Sequence, residues 1–355
     1  MRGRDRFALP ILRRARRDAT LTRPAVSILL PVRDEGRFLG ETLASLSAQT
    51  YADFEAIVVD DGSRDASAAI AEAHARDDSR FRVVRAQRAG MVAALERGRA
   101  EAEGAFIARM DGDDVALPGR LETQLEALES EGLTACGGRI AYFPRRLVGD
   151  GGRRYERWIN GLVTPEAAAL DVFVECPLPH PALVVRADAL AAAGGYRDCG
   201  WPEDYDLVLG LWRRGARFRN VEEVVLRWRE HPDRASRTDP VFAQGAFVSC
   251  KVDHLRRSLL VGWESVVVWG AGPVGKAFAR ELTKHGTAVA GFVDVDPRKI
   301  GRRLYGAPVV GVEAAARFAC SFALGAVARE EGRQQVRDVA AAQGRREGVD
   351  FIAVA

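Results

Sequence analysis

The sequence predicts an α/β protein with two units, a mostly parallel sheet between helices followed by a smaller α/β unit. Short apolar runs alternate with segments of helical spacing from residue 26 onward, and a glycine-rich turn near residue 270 begins a second strand–turn–helix pattern. Strand–helix alternation is typical of a parallel sheet covered on both faces. The length of 355 residues is enough for two domains.

Four apolar runs predict the buried strands of the first unit, because their apolar residues follow one another without helical spacing. These runs are VSILLP at 26–31, FEAIVVDD at 54–61, RFRVVRA at 80–86 and AFIARM at 105–110. The segments that come after them have the apolar spacing of helices. These segments are RFLGETLASLSAQ at 37–49, ASAAIAEAHAR at 66–76, MVAALERGRAEA at 91–102 and RLETQLEALES at 120–130.

The pattern after Leu133 is less regular. Residues 182–195 predict a strand that leads into a helix, and residues 217–231 alternate as a strand does. The segment 202–215 has proline and acids at its start and glycine at its end, which predicts a helix. We therefore divide the chain into a basic N-terminal tail at 1–24, a first domain at 25–239, a helical connector at 240–260 and a second domain at 261–355.

The composition is that of a globular protein. Hydrophobic residues make up 47% of the chain and the net charge is +3. Arginine supplies nearly all the positive charge along the whole chain, without a basic stripe interleaved with aromatic residues, so we expect no nucleic-acid partner. The five cysteines include no closely spaced pair, which favours reduced thiols in the cytoplasm over a zinc site.

The first 24 residues are basic, and their apolar part, Phe7 to Leu12, is too short for a signal peptide or a membrane span. We therefore expect a cytoplasmic protein. The basic segment is compatible with two states, a solvated tail and peripheral contact with the anionic inner face of a membrane.

Acidic clusters follow three of the predicted strands. They are PVRDEG at 31–36, DDGS at 60–63 and DGDD at 111–114. Each alone would be an ordinary solvated turn, but ligands of open α/β sheets bind beyond the carboxyl ends of the strands, so we expect the three clusters to converge. Crowded carboxylates repel one another unless a cation offsets their charge. The Asp-x-Asp pair Asp111 and Asp113 offers oxygen ligands suited to Mg²⁺ or Mn²⁺ and, through the ion, to a diphosphate.

Three stretches that hold four motifs resemble glycosyltransferase family 2. The stretches cover 26–67, DGDDVALPGRLE at 111–122 and GGYRDCGWPEDYDLVLGLWRRG at 194–215. The resemblance extends over roughly residues 25 to 235. It implies the A-type glycosyltransferase fold and transfer of a sugar from a nucleotide-diphosphate donor to an acceptor hydroxyl, with inversion at the anomeric carbon.

The resemblance also implies the residues that bind the donor. Pro31, Arg33 and Glu35 match the loop that lines the nucleotide pocket in this family. Asp61 matches the carboxylate that meets the base of the nucleotide.

For the metal site, the resemblance gives Asp113 the direct metal contact and places Asp111 on the ribose or metal side. Asp114 is expected to support the two. A histidine after the Glu-Asp helix completes the metal site in some members, which makes His231 a candidate metal ligand. A surface histidine in a proline-containing turn is the alternative for His231.

In PEDYDL the resemblance implies that Asp204 is the general base and that Glu203 is its neighbour or an acceptor contact. The residues alone allow another interpretation, in which these acids have no catalytic role and only stabilise the helix by interacting with its positive N-terminal end. A base at that position needs burial or nearby acids to raise its pKa. The sequence departs from the family at Glu96, where many members have asparagine. We expect His254 on the surface of a helix.

In the second unit, Gly270, Gly272 and Gly275 form a G-x-G-x-x-G turn between a strand and a helix, and Asp294 follows near the end of the next strand. This context predicts a small Rossmann-like α/β domain. Residues 291–311 resemble the nucleotide-binding-like domains attached to some polysaccharide-biosynthesis proteins. We expect these four residues to bind a nucleotide or NAD. The alternative is a Rossmann-like domain that binds no ligand.

The predicted function is that of an inverting, metal-dependent glycosyltransferase in the synthesis of a cell-surface or secreted polysaccharide or glycolipid. Its predicted partners are a nucleotide-diphosphate-sugar donor and a glycan or lipid-linked acceptor. The alternative is a non-catalytic regulatory protein that binds a nucleotide-sugar or a dinucleotide. An NAD-linked oxidoreductase is disfavoured because the second unit has Val309, not lysine, four residues after its only tyrosine, Tyr305.

Overall fold

The computed structural model describes residues 23–355, so the predicted tail at 1–24 lies almost entirely outside the described residues. Within this range, no helix combines the length and the apolar character needed to cross a lipid bilayer. The described residues form two sheets, one of eight strands and one of six.

The eight-stranded sheet belongs to the first part of the chain. Its strands are β1 (Val26–Val32), β2 (Phe54–Asp60), β3 (Phe81–Arg85), β4 (Phe106–Arg109), β5 (Val115–Ala116), β6 (Ala135–Phe143), β7 (Val184–Arg186) and β8 (Phe218–Arg229). They lie in the order β3-β2-β1-β4-β7-β6-β8-β5. The four strands from β3 to β4 pair in parallel, whereas β7 and β5 run against their neighbours. The sheet is therefore mixed, and the half that the strand–helix alternation predicts is parallel.

Helices cover this sheet because each presents a row of apolar side chains to it. In the first of them, Leu39, Leu43 and Leu46 are buried against the strands, and all seven residues of β1 are buried beneath the layers. The helices of this part are α1 (Leu39–Ser47), α2 (Ser67–Asp77), α3 (Met91–Glu101), α4 (Arg120–Ser130), α5 (Asp150–Gly161), α6 (Pro165–Leu170), α7 (Ala187–Ala193) and α8 (Glu203–Trp212).

The six-stranded sheet belongs to the C-terminal part. Its strands are β9 (Ser265–Trp269), β10 (Ala288–Val293), β11 (Arg303–Leu304), β12 (Ala307–Val310), β13 (Phe322–Gly325) and β14 (Phe351–Ala353). They lie in the order β11-β12-β10-β9-β13-β14, and every neighbouring pair except β11–β12 is parallel. The remaining helices are α9 (Ala235–Thr238), α10 (Gln244–Arg256), α11 (Pro273–Lys284) and α12 (Glu330–Ala342).

Helix α10 joins the two parts through a shared core. Leu255 of α10 belongs to the same buried apolar cluster as Leu207 of α8 and Phe278 of α11. On the same helix, the buried ammonium of Lys251 donates to the carbonyl oxygen of Val174 at 2.8 Å and to that of Val354 at 3.1 Å. Apolar burial and these two hydrogen bonds hold the second sheet against the first.

Candidate active site

The carboxyl ends of β1, β2 and β4 meet at one edge of the first sheet. Val32 lies opposite Asp60 in the β1–β2 register, and the Asp61 N–H donates to the carbonyl of Val32 at 2.9 Å. Just beyond β4, the Met110 N–H donates to the carbonyl of Leu29 at 3.0 Å. The acidic segments that follow these strands therefore share this edge, as the sequence pattern indicates.

Three carboxylates crowd together immediately after β4. Asp111, Asp113 and Asp114 each place one oxygen within 4.8 Å of the others. Asp113 Oδ2 lies 2.7 Å from His231 Nε2. Asp114 is fully buried, and its Oδ1 accepts the Arg229 N–H at 2.6 Å while its Oδ2 has no hydrogen-bond partner among the described residues.

The charges of Asp113 and Asp114 are only partly compensated by their neighbours. Burial, followed by the charges of Asp113 and Asp111, raises the pKa of Asp114 well above its usual value. Burial and the charge of Asp111 also raise the pKa of Asp113. A divalent cation would relieve this repulsion. The cluster of carboxylate oxygens, one of them unpartnered, fits the oxygen preference of Mg²⁺ and Mn²⁺.

Arg109 also belongs to this site, although none of the sequence motifs includes it. It ends β4, it is 3% exposed, and its guanidinium forms an ion pair with Asp111. The only hint in the sequence is a charged residue inside an otherwise apolar run. Since the charges of Arg109 and Glu203 also interact, this arginine links the acidic cluster to the first turn of α8.

The loop after β1 faces the same cluster. The side chain of Glu35 covers Gly112, where an added Cβ would lie 3.2 Å from Glu35 Cγ. Burial, followed by the charges of Asp113 and Asp111, raises the pKa of Glu35 to about 8. Pro31 is buried within β1, whereas Arg33 is exposed.

Both oxygens of Asp61 bind the loop that leads into α3. Asp61 Oδ1 accepts the Ala89 N–H at 2.7 Å, and Oδ2 accepts the Gly90 N–H at 3.0 Å. Gly90 has a φ of +93°, which favours glycine at this turn. The described contacts of Asp61 therefore fix the backbone at the start of α3. Its contact with the base of a nucleotide stays a prediction.

The departure at Glu96 has a structural explanation. Glu96 Oε1 accepts the Tyr196 N–H at 2.7 Å, and its carboxylate also pairs with Arg99. Gly195, at a φ of +70°, allows this approach, because an added Cβ would lie 2.4 Å from Glu96 Oε1. Glu96 thus ties α3 to the segment that precedes α8.

The candidate base lies in the first turn of α8. Burial, followed by the charge of Glu203, raises the pKa of Asp204 to about 7. Asp204 Oδ1 accepts the Tyr205 N–H at 2.7 Å. Glu203 is 6% exposed, and its Oε1 lies 3.7 Å from Nδ1 of the buried His180. Burial therefore outweighs the helix terminus, which by itself would favour the ionised carboxylate.

The third acid of this turn, Asp206, has a different environment. Its carboxylate accepts two hydrogen bonds from Arg197, both at 2.8 Å, and one from Trp201 at 3.0 Å. His254 Nε2 lies 3.0 Å from Asp206 Oδ1. The expectation that His254 lies on a helix surface is therefore wrong, because this contact holds the ring in the core at 0% exposure.

The glycine-rich turn of the second sheet is held mainly by backbone packing. A Cβ added to Gly270 would lie 2.8 Å from the carbonyl oxygen of Ala326, and a Cβ added to Gly275 would lie 1.9 Å from the carbonyl oxygen of Gly270. A Cβ added to Gly272 would meet no atom within 4 Å. Asp294 Oδ2 accepts the Ala271 N–H at 2.7 Å and Lys299 Nζ at 2.9 Å. Gly270, Gly272 and Asp294 line a cavity of about 570 Å³.

Comparisons with known proteins agree with the fold. Residues 27–176 match the family model described as Glycosyl transferase family 2. The O-antigen biosynthesis glycosyltransferase WbnJ of Escherichia coli is 29% identical over 214 residues, which cover 58% of this chain and 80% of WbnJ. The uncharacterized glycosyltransferase EpsJ of Bacillus subtilis is 29% identical, over 59% of this chain and 62% of EpsJ.

Among solved structures, S. aureus TarS 1–349 in complex with UDP-GlcNAc has a TM-score of 0.55 and 16% identity, over 73% of this chain and 72% of TarS 1–349. The fold is thus that of an A-type glycosyltransferase. The match to this family model and the similarity to named glycosyltransferases identify the chain as a glycosyltransferase. Glu203, Asp204 and His231 lie beyond the matched residues.

Proposed function

We propose that this glycosyltransferase is inverting and metal-dependent, and that it moves a sugar from a nucleotide-diphosphate-sugar to the hydroxyl of a glycan or lipid-linked acceptor. The observation that carries the proposal is the position of Arg109. Its guanidinium pairs with Asp111, and its charge acts on Glu203 and Asp204. The candidate metal site and the candidate base therefore both interact with the charge of one buried arginine.

Asp111, Asp113 and His231 are the residues that would hold Mg²⁺ or Mn²⁺. When bound, the ion would supply positive charge to the diphosphate that leaves. The hydrogen bond at 2.7 Å between His231 and Asp113 orients both side chains. Pro31, Arg33, Glu35 and Asp61 would shape the pocket of the nucleotide at the same edge of the sheet.

Asp204 would act as the general base. A carboxyl whose pKa is about 7 is about half ionised at neutral pH, which is close to the optimum for proton transfer. As the acceptor oxygen bonds to the anomeric carbon, its proton moves to Asp204, and the bond from that carbon to the diphosphate oxygen breaks. Attack from the face opposite the leaving group inverts the configuration. Glu203 raises the pKa of this base, and it would serve as a contact for the acceptor.

Synthesis of a cell-surface or secreted polysaccharide or glycolipid is the setting that we propose for this reaction. It is supported by a relative named for O-antigen biosynthesis, WbnJ. The alternative of a non-catalytic regulatory protein is not retained, because the family match and the named relatives identify a glycosyltransferase.

We also propose that residues 261–355 form a Rossmann-like domain, attached through a connector at 240–260 to a catalytic domain at 25–239. The order β12-β10-β9-β13-β14 corresponds to the 3-2-1-4-5 order of doubly wound sheets. The adjoining cavity of about 570 Å³ lies within the range of small-ligand sites, so it has room for a nucleotide or NAD. Calorimetric titration with NAD, NADH and nucleotides tests this ligand class, and the absence of heat with all of them would favour an empty site.

A donor screen tests the catalytic proposal. The full chain is incubated with common nucleotide-diphosphate-sugars and a mixture of simple glycan acceptors, and the released nucleoside diphosphate is measured with Mn²⁺, with Mg²⁺ and with EDTA. We expect release from at least one donor with a divalent ion and none with EDTA. NMR of the product should show the anomeric configuration opposite to that of the donor. Equal release in EDTA, or retained configuration, would reject the corresponding part of the proposal.

A further inference from the structure

A second cavity lies where the two parts of the chain meet, away from the acidic cluster. Its volume is about 1030 Å³, and its walls come from α5, α10, α11, α12 and the segment around Val174. A cavity of this size can hold a ligand as large as a short saccharide. The family model does not extend to α10, α11 or α12, so its match does not account for this site.

Arg333 of α12 is the unusual residue of this cavity. Its side chain is buried, at 6% exposure, and it lines the cavity wall. Its guanidinium makes no hydrogen bond and no ion pair with any other residue between 23 and 355. A buried charge without a partner is unfavourable. An anion inside the cavity would compensate it.

Four other basic residues share the cavity wall with Arg333. One of them is Lys251, whose pKa is lowered by burial; the charge of Glu175 opposes this effect, and the charge of Arg333 adds to it. The exposed Arg154, Arg157 and Arg329 also line the cavity, and none of them is ion-paired within the described part of the chain.

Three acids, Glu175, Glu330 and Glu331, line the same cavity as these five basic residues. Glu330 and Glu331 are exposed at the start of α12. The cavity therefore has an excess of positive side chains. Guanidinium groups favour phosphate because their N–H donors match its oxygens in pairs.

The cavity also approaches the candidate base. Glu175, in its wall, contributes to the raised pKa of Asp204, and the charge of Asp204 in turn acts on the Tyr155 hydroxyl. Tyr155 and Trp158 lie in the wall with their ring centroids 5.7 Å apart. Aromatic rings of this kind offer flat apolar surfaces to a sugar ring or a hydrocarbon chain. Phe247, another residue of the wall, has its ring centroid 6.0 Å from that of Tyr205, the residue that follows Asp204. The cavity therefore lies near the first turn of α8.

We propose that this interdomain cavity binds the acceptor through a phosphate or diphosphate group, which pairs with Arg333 and the arginines around it. This inference rests on the proposed function, since it makes the cavity the acceptor side of that reaction. Two sources share this chemistry, a sugar phosphate and an isoprenyl diphosphate. In either case the C-terminal part of the chain contributes directly to acceptor binding.

Calorimetry with inorganic pyrophosphate tests the cavity without any turnover. The full chain is titrated in EDTA, so that no divalent ion can bring the probe to Asp111 and Asp113. We expect binding by the wild type, at least tenfold weaker binding by Arg333→Gln, and an intermediate affinity for Arg333→Lys. Arg153→Gln is the matched control, because Arg153 is exposed on α5 and does not line the cavity. The wild-type affinity should persist in it.

Thermal unfolding separates a binding role from a structural one. Removal of a buried, uncompensated charge should leave the Tm of Arg333→Gln equal to that of the wild type or higher. No binding by the wild type, or equal binding by Arg333→Gln, would overturn the proposal. A purely structural role for Arg333 would give a different result. In that case Arg333→Gln would lose much of its Tm, while Arg333→Lys and the folded fraction of Arg333→Gln would bind as the wild type does. This result would also overturn the proposal.

Two further titrations identify the source of the phosphate. Glucose 1-phosphate and farnesyl diphosphate are compared in the same buffer, and the tighter ligand indicates a sugar phosphate or an isoprenyl diphosphate. Failure of both ligands to bind overturns the acceptor assignment. Because these measurements need no donor, a negative result here is distinct from a failed donor screen, which concerns Asp111, Asp113 and Asp204.

Discussion

Asp114 and Asp294 both follow a buried parallel strand, and both are nearly inaccessible to solvent, at 0% and 8% exposure. Asp294 is compensated by the Ala271 N–H, the Asp296 N–H and Lys299, and these hydrogen bonds lower its pKa against the effect of burial. Among residues 23–355, Asp114 has one oxygen without a hydrogen-bond partner and two acidic neighbours, and its pKa is raised. The same sequence feature, an acid after a strand, thus has opposite electrostatic environments in the two sheets.

This contrast separates acids that hold the fold from acids that are available for chemistry. A carboxylate whose hydrogen bonds are satisfied inside the protein contributes to stability. A crowded or buried carboxylate with a raised pKa costs stability in the empty protein, and it gains a favourable partner only when a cation or a proton arrives. Asp204 belongs to the second class, with a pKa of about 7.

The largest effect is expected for Asp204→Asn. An amide has nearly the shape of the carboxyl but cannot accept the proton of the acceptor, so kcat should fall by about 10²–10⁴-fold. The free energy of unfolding should not fall, because the half-buried carboxyl is already partly protonated near neutral pH. Release of nucleoside diphosphate and thermal unfolding measure the two quantities. Asp198→Asn, at an exposed position before α8, is the control. Wild-type turnover in Asp204→Asn would remove this residue from the proposed mechanism.

The pH profile is the next test. The pKa of Asp204 is raised from 3.8 to about 7, so the base is ionised above this pH and protonated below it. At saturating Mn²⁺ or Mg²⁺, kcat/KM should therefore fall about tenfold for each pH unit below 7. Asp204→Glu should keep activity with a shifted midpoint. A profile that is flat down to pH 5 would contradict a base with this pKa.

Divalent ions should stabilise the protein through the acidic cluster. An ion at 100 times its Kd adds about 2.7 kcal/mol to the free energy of unfolding, and part of that gain is relief of the repulsion at Asp113 and Asp114. Thermal unfolding with and without Mn²⁺ measures the effect. Asp113→Ala should lose the increase in Tm, and Asp77→Asn, an exposed substitution at the end of α2, should keep it. An undiminished increase in Asp113→Ala would place the ion elsewhere.

The sequence predicts the parallel half of the first sheet and the convergence of its acids, because continuous apolar runs and strand-end acids are local features. It does not predict β6, which contains Gly137 and Gly138. A larger residue would not fit at either position. A Cβ added to Gly137 would lie 2.1 Å from Asn220 Oδ1, and a Cβ added to Gly138 would lie 2.4 Å from Val225 Cγ2. Both contacts come from β8, more than 80 positions later in the chain. Because the need for glycine comes from these tertiary contacts, it gives the sequence of β6 no periodic pattern from which the strand could be predicted.

The charge balance of the site is likewise hidden in the sequence. The motif DGDD indicates carboxylates, but it does not show that Asp111 forms an ion pair with Arg109. It also does not show that the Arg229 N–H donates to one oxygen of Asp114 while the other oxygen has no partner among the described residues. For the same reason, G-x-G-x-x-G with Asp294 predicts the glycine-rich turn but not that Lys299 already pairs with the aspartate. Long-range partners decide which acids remain available.

The smallest effect is expected for Asp294→Asn, and it should appear in stability. The substitution weakens the charge-assisted hydrogen bonds to Lys299 and two N–H groups, so the free energy of unfolding should fall by about 1–3 kcal/mol. Because the pKa of Asp294 is lowered in the folded protein, its contribution is fully present above the ordinary value of 3.8 and is lost as the pH falls through the lower, folded-state pKa. Urea unfolding at pH 7 and at acid pH measures the difference, which should shrink at the lower pH. Asp338→Asn, whose exposed carboxylate accepts a hydrogen bond from Gln334, should change stability by less than about 0.5 kcal/mol. If Asp294→Asn were as stable as the wild type, Asp294 would belong with the uncompensated acids, and the contrast between the two sheets would not hold.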